Sequence, residues 1–225
     1  MRAVVFCGPS LSHADARRVL DAEYLPPVGK GDLDRLLADE RPPDLIGIVD
    51  GRFFQSLSVS PKEILRVLDA GIAVYGSSSM GALRAVECAP YGMVGIGAVF
   101  ECFRSGEIDQ DDEVAITYST DTLASLSEPL VNMRFALAAA VRAGAADAAL
   151  AERFLRVAKE IYFPQRSTAA VINALRKEVA TADLEALAAY LRTSAPDAKR
   201  EDALALLRRM GADRAAARAR AGARG

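Results

Sequence analysis

The chain has 225 residues, of which 51% are hydrophobic and 26% are charged. This is enough apolar material for one full core and an extension. The net charge of -2 gives no electrostatic footprint for nucleic acid, and the absence of tryptophan with only 6% aromatic residues argues against a base-stacking surface.

The three cysteines, Cys7, Cys88 and Cys102, form no CxxC pair. This spacing argues against a disulfide framework or a structural zinc and favours a reducing compartment. The first apolar run is too short for a signal peptide, and no apolar stretch is long enough to cross a bilayer. We therefore expect a cytoplasmic protein with no membrane contact, no bound metal and no cofactor.

Short apolar runs alternate with helical patterns in the first half of the chain. Three runs predict buried strands, at 2–7, 44–50 and 72–76, and each is followed by turn residues. Helical spacing lies between them, at 12–22, 32–40 and 60–71.

The pattern at 60–71 carries a full set of helix signals. Ser60 is the expected N-cap, Pro61 occupies the first helical position, Glu63 completes a capping box, and Gly71 ends the helix.

After about Thr120 the chain is rich in Ala, Leu and Arg with helical periodicity, in segments near 128–143, 147–160, 166–179, 183–193 and 199–222. A helix with a glycine-rich approach is expected before this point, and residues 112–119 are one further candidate strand. The prediction is an α/β fold, with a small parallel sheet flanked by helices in residues 1–120 and an all-helical C-terminal extension in 121–225.

Turn residues follow each of the three predicted strands, at Gly8-Pro9-Ser10, at Asp50-Gly51 and at Ser77-Ser78-Ser79. Ligand sites of parallel sheets gather at the carboxyl ends of the strands. We therefore expect these three places to lie along one edge of the sheet.

The serines have two interpretations. Serine at a strand-to-helix junction is most often a cap, but Ser77-x-Ser79-x-Gly81 also has the pattern of a nucleophile elbow, with serine in place of the first glycine. In that case the turn lifts the Ser79 oxygen above the sheet, and the Met80 and Gly81 amides face a developing oxyanion. The segment also looks like the nucleophile segment of Clp-type serine peptidases.

A serine nucleophile needs a base. His13 is the only histidine, and its charged helical stretch favours a solvated surface position. Lys62 is the preferred base because the start of a helix disfavours an ammonium, although an exposed structural lysine is an equal alternative. Lys30 is the second choice.

Other polar residues are weaker candidates. Arg84 stands one helical turn beyond the serines and is expected to form a structural salt bridge rather than to bind a partner carboxylate. Asp111, Asp112 and Glu113 have the acidity of a divalent-metal site, but a solvated strand entry is favoured because alternate strand residues point to opposite faces.

Several segments together resemble the TfuA-like family. They are GPSL at 8–11, DGRFFQSLSVSPKEIL at 50–65, YGSSSMGALRAVE at 75–87, GMVGIGAVFECFRSGEI at 92–108 and DDEVA at 111–115. The resemblance runs through roughly the first 120 residues.

The resemblance implies a role in peptide backbone thioamidation beside a YcaO enzyme. In this role the protein releases sulfur from a ThiS-type carrier protein whose C-terminal glycine bears a thiocarboxylate, and the modified substrate is a ribosomally made peptide or a protein. It also implies a hydrolase-like Ser–Lys pair, which falls on Ser79 and Lys62. Ser78 is an alternative, since this chain has Gly-Ser-Ser-Ser where many relatives have Gly-Ala-Ser-Ser. Ser10, Asp50, Gly51 and Arg84 are the candidate binding residues.

Two further functions stay open. One is a non-catalytic adaptor that brings the substrate or the sulfur donor to YcaO. The other is a nucleotide-binding domain that uses the Gly8-Pro9-Ser10 turn, but neither GxGxxG nor GxxxxGK[ST] is present.

Overall fold

The computed structural model describes residues 1–53 and 57–222, so residues 54–56 of the segment compared above lie outside it. In this described part of the chain, five strands form one all-parallel sheet in the order β2-β1-β3-β4-β5. The strands are β1 Ala3–Phe6, β2 Glu23–Leu25, β3 Leu45–Ile48, β4 Ala73–Gly76 and β5 Val94–Gly95.

The helices of the first part of the chain are α1 His13–Arg17, α2 Asp32–Leu37, α3 Pro61–Asp69, α4 Met80–Cys88 and α5 Ala98–Ser105. Those that follow are α6 Leu130–Arg142, α7 Ala148–Glu160, α8 Thr168–Leu175, α9 Thr181–Thr193 and α10 Ala198–Gly222. Short 3₁₀ turns occur at Ala89–Tyr91, Asp111–Glu113 and Phe163–Gln165. No helix of residues 1–53 and 57–222 is both long enough and apolar enough to cross a membrane.

The predicted fold class is confirmed. The three central strands, β1, β3 and β4, fall within the predicted apolar runs, and helices flank the sheet. Helix α3 begins as its capping residues predict: the Glu63 N–H donates to Ser60 Oγ at 3.3 Å, and the Ser60 N–H donates to Glu63 Oε1 at 3.1 Å.

The prediction of a strand at 112–119 is wrong. Asp111–Glu113 forms a 3₁₀ turn in which Asp112 and Glu113 pair with arginines. Glu113 is only 3% exposed and forms a two-bond ion pair with Arg134, at 2.7 and 2.8 Å. Asp112 Oδ2 accepts a bond of 2.6 Å from Arg166. The expectation of a solvated segment is therefore wrong for Glu113, and among the described residues no group of three or more His, Cys, Asp and Glu side chains is arranged to hold a metal.

The chain forms two compact units by its internal contacts. One unit joins Met1–Asp109 to the chain from Lys199 onward, and the other is Gln110–Ala198. The division at residue 120 that the composition suggests stays a prediction about domains, but by contacts α10 belongs with the sheet.

In the first unit, α10 lies on one face of the sheet. Ala203, Leu206 and Met210 of this helix share a buried apolar cluster with Val5 of β1 and Tyr75 of β4. Gly47 of β3 allows this approach, because a Cβ there would lie 2.8 Å from Met210 Sδ. Helix α3 packs against α2 and α4, and α3 and α4 pack against the central strand β4.

The second unit is a helical bundle of α6 to α9 with its own core, which includes Leu137, Phe154 and Leu187. Arg166 is fully buried in it, and its guanidinium donates to the Ala158 carbonyl at 2.9 Å. A buried guanidinium is stable only when its donors are satisfied, so these contacts fix the path of the chain between α7 and α8.

Candidate functional site

Asp50 joins two of the three loops at the carboxyl edge of the sheet. Its Oδ2 accepts the backbone N–H groups of Gly8 at 2.9 Å and Ser10 at 3.0 Å, and its Oδ1 accepts the Ser10 hydroxyl at 2.6 Å. Both side chains are buried. The loops after β1 and β3 are therefore held together by one carboxylate, and the candidate binding residues Ser10 and Asp50 bond to each other.

The serine turn, Ser77–Ser79, lies at the same edge. The Ser77 N–H donates to the Ile48 carbonyl at the end of β3 at 3.1 Å, and the Ser79 N–H donates to the Ser77 carbonyl at 2.7 Å. The exposed fractions of the three serines are 0%, 0% and 2%. The structure thus brings Ser10, Asp50 and the serine turn to one edge of the sheet, as parallel pairing of the strands requires.

Ser78 has a left-handed backbone, with φ of +63°. For a residue with a side chain this conformation is costly, because Cβ approaches the backbone. Ser79 follows as the N-cap of α4, with φ of −129° and ψ of −119°. Strained backbone between a strand and a helix is the local geometry in which hydrolases present a nucleophilic serine.

Two glycines allow α4 to lie against the strands at this point. A Cβ on Gly76 would collide with the Gly81 carbonyl oxygen, and one on Gly81 would collide with the Ile48 carbonyl oxygen. Gly51, after β3, is buried against Met80, and a Cβ there would lie 2.6 Å from Met80 Cγ. These glycines therefore serve close packing of the turn.

The two amides predicted to hold an oxyanion differ in their surroundings. The Gly81 N–H donates to the Val49 carbonyl at 3.3 Å. Met80 is the first residue of α4, where the amides have no partner within the helix. Met80 is therefore the better placed of the two donors.

Lys62 is exposed in the first turn of α3. Its neighbour Glu63 completes the capping box and also accepts the Gly31 N–H at 2.7 Å, so this carboxylate is already bonded. Lys30 is exposed as well.

His13 is not the solvated surface residue that its sequence context suggested. Its ring is half-buried, and Nε2 lies 2.8 Å from the Cys7 carbonyl oxygen. A carbonyl only accepts, so Nε2 carries the hydrogen and donates it. Arg84 forms structural contacts, with Nε on the Val59 carbonyl at 2.8 Å and Nη1 on Glu87 at 2.8 Å.

Two buried polar residues of α10, one of them bonded to the serine turn, were missed in the sequence. Lys199 is 2% exposed, and its backbone carbonyl accepts the Ser78 hydroxyl at 2.8 Å. Asp202 is 5% exposed and accepts the N–H groups of Ala98 and Val99, both at 2.8 Å. Burial raises the pKa of Asp202 to about 6.

A signal for Lys199 was present in the sequence. Lys199, Ala203, Leu206 and Met210 are spaced as one face of a helix, and the last three are apolar. A lysine at the head of an apolar stripe is a candidate for burial, but its neighbours there come from a distant part of the chain.

A comparison with models of protein families matches the model described as TfuA-like protein to residues 50–167. The matched segment contains Asp50, Lys62 and the whole serine turn, and it covers more than half of the chain. The chain belongs to the TfuA-like family. Membership in the TfuA-like family suggests a role in thioamidation-related biosynthesis. Lys199 lies outside the matched segment, and the comparison with curated proteins gave no match.

Proposed function

We propose that this TfuA-like protein is a serine hydrolase that cleaves the thiocarboxylate of a ThiS-type carrier protein. The sulfide that is released serves a YcaO enzyme, which thioamidates the backbone of a peptide or protein. The observation that carries the proposal is the serine turn, a buried and strained junction between β4 and α4 at the carboxyl edge of a parallel sheet. Family membership supplies the thioamidation context.

Ser79 is the nucleophile in this proposal. An oxyanion hole in such turns uses the amide that follows the nucleophile. For Ser78 that amide belongs to Ser79 and is already bonded to the Ser77 carbonyl, whereas for Ser79 it belongs to Met80. The Ser78 hydroxyl is also engaged, since it donates to the Lys199 carbonyl.

The chemistry requires two steps. In the first, Ser79 Oγ attacks the thiocarboxyl carbon, its proton passes to a base, the C–S bond breaks, and sulfur leaves as hydrosulfide after taking that proton. In the second, water attacks the acyl ester, the C–O bond to Ser79 breaks, and the carrier leaves with a free carboxylate. The net reaction converts a thiocarboxylate and water into a carboxylate, hydrosulfide and a proton.

The surroundings of Cys7 and Cys88 do not favour either of them as a thiol relay for sulfur transfer. Cys7 and Cys88 are buried, and burial raises the pKa of both thiols. A persulfide carrier needs an accessible thiolate. Hydrolysis at the serine turn avoids this requirement.

The test measures hydrosulfide release from a thiocarboxylated carrier. We expect Ser79→Ala to lower the rate by at least about 1,000-fold, because the nucleophile is gone. Ser77→Ala and Ser78→Ala are the matched controls in the same turn, and both should retain most of the activity. Release at the wild-type rate by Ser79→Ala contradicts the assignment, while loss in Ser78→Ala alone moves the nucleophile by one residue and keeps the function.

The burial of all three serines favours a second candidate, the non-catalytic adaptor that brings the sulfur donor or the substrate to YcaO. In that case the wild-type protein releases no hydrosulfide from the carrier. The serine variants would then support thioamidation as well as the wild type does when sulfide is supplied separately.

A further inference from the structure

Lys199 differs from the other lysines of the chain in its surroundings. Lys30, Lys62, Lys159 and Lys177 are exposed, whereas Lys199 is 2% exposed. Burying an ammonium is costly, so a lysine held in this way in a core is a residue whose chemistry needs an explanation.

The position of Lys199 is fixed by the helix that carries it. Lys199 heads the stripe of α10 whose later members, Ala203, Leu206 and Met210, are buried on the sheet. Side chains on one stripe point in one direction, so the Lys199 side chain faces the sheet and not the solvent.

Hydrogen bonds hold this first turn of α10 against the serine turn and against the start of α5. The Ser78 hydroxyl donates to the Lys199 carbonyl at 2.8 Å. One helical turn later, Asp202 accepts the first two amides of α5 at 2.8 Å each. The backbone of Lys199 is thereby held beside the buried serine turn.

We propose that Lys199, and not Lys62, is the general base that takes the proton from Ser79 Oγ. This inference rests on the proposed hydrolase function and assigns a second member to its catalytic pair.

The physical chemistry of the location suits a base. Exclusion of water favours the neutral amine over the ammonium. The N-terminal end of α10, with its partial positive charge, acts in the same direction. The neutral Nζ accepts the Ser79 proton in the acylation step and gives it to the departing sulfur. In the second step Nζ accepts a proton from the attacking water and returns it to Ser79 Oγ when the ester bond breaks.

The experiment compares Lys199→Met with Lys62→Met in the full chain, with thermal unfolding measured on both. Methionine keeps the length and apolar stem of lysine and is suited to a buried site. We expect Lys199→Met to remain folded and to release hydrosulfide at least about 1,000-fold more slowly. Lys62→Met should retain at least about half of the wild-type rate because its amine is exposed.

A second variant separates catalysis from folding. Lys199→Ala leaves space for a small amine, and we expect added methylamine to restore part of the release rate in proportion to the free amine present. A lysine that only stabilises the fold would show no such rescue.

The outcomes distinguish this inference from the proposed function. A wild-type rate in Lys199→Met, or a folded Lys199→Ala that methylamine does not rescue, overturns the assignment of Lys199. If Ser79→Ala is inactive at the same time, the hydrolase function stands and another base is required. If Ser79→Ala is fully active, the proposed hydrolase function is wrong, and so is the assignment of Lys199 as its base.

Discussion

At the scale of single residues, the site depends on backbone geometry as much as on side-chain chemistry. Ser78 adopts the left-handed conformation, and Gly76 and Gly81 allow the turn to press against the end of β3. These three residues determine the position of Ser79. Changes that affect only the backbone should therefore disturb the site without removing a reacting group.

Gly76→Ala tests this point through stability. The added Cβ collides with the Gly81 carbonyl, a backbone atom that cannot move without shifting α4. We expect the free energy of unfolding to fall by about 3 kcal/mol or more, measured by urea denaturation.

Gly211→Ala is the matched control in the interior of α10. The nearest atom to its new Cβ is Leu20 Cδ1 at 3.6 Å, an ordinary contact. We expect this change to stabilise the chain by about 0.5–1 kcal/mol. An equal loss in both variants would contradict the collision as the cause.

At the scale of elements, Asp202 fastens α10 to the start of α5. The N-cap of α5 is Gly97, which has no side chain to bond the first amides, and Asp202 from α10 bonds the Ala98 and Val99 N–H groups instead. Burial raises the pKa of this carboxyl from 3.8 to about 6. The native state therefore binds the proton more tightly than the unfolded chain does.

This linkage predicts a pH dependence of stability. Below about pH 4 both states hold the proton, so the contribution of Asp202 is fully present, and it is lost as the pH rises through about 6. The difference in unfolding free energy between the wild type and Asp202→Asn should fall by roughly 3 kcal/mol from pH 4 to pH 7. Urea denaturation at several pH values measures it. The exposed neighbour Glu201, as Glu201→Gln, should show no comparable change, and a difference that grows with pH would contradict the prediction.

Elements whose signals are local were predictable from the sequence, and those that depend on distant partners were not. Helix α3 carries its own start signals in Ser60, Pro61 and Glu63, and the three central strands are continuous apolar runs. Strands β2 and β5 have three and two residues, too few to show a period. The acidic turn at 111–113 resembled a strand entry because its arginine partners come from α6 and from the segment before α8.

The residues of the candidate site also divide into those that the local sequence predicted and those that depend on distant partners. Ser10, Asp50 and the serine turn follow strands in the sequence, so their common edge was predictable. The burial of Lys199 was not, because Ser78 and Lys199 are 121 residues apart in the chain. Local spacing indicated only that one helix carries a lysine on its apolar stripe.

At the scale of the whole molecule, the sheet unit is made from two separated parts of the chain, with residues 110–198 between them. The TfuA-like match at 50–167 covers neither β1 nor α10. The apolar face of the sheet nevertheless needs α10, because Leu206 and Met210 belong to the buried cluster that covers it.

Two truncations test the role of α10 in this unit. A chain that ends after Ala198 lacks the whole buried stripe, and we expect it to lose the cooperative unfolding of the sheet unit. A chain that ends after Arg214 keeps the stripe and loses mainly exposed residues, so its melting temperature should stay within about 4 °C of the full chain. Native-like melting of the shorter chain would contradict the role assigned to the helix.

The placement of α10 also has a consequence for folding during synthesis on the ribosome. Translation delivers the strands well before α10, since Tyr75 and Asp213, which bond to each other, are 138 residues apart. Until the codons of α10 are read, the part of the sheet face that Leu206 and Met210 cover stays exposed in the nascent chain. Ribosome stalling or termination before α10 is complete would thus leave a fragment with exposed apolar surface, suited to capture by chaperones and to degradation.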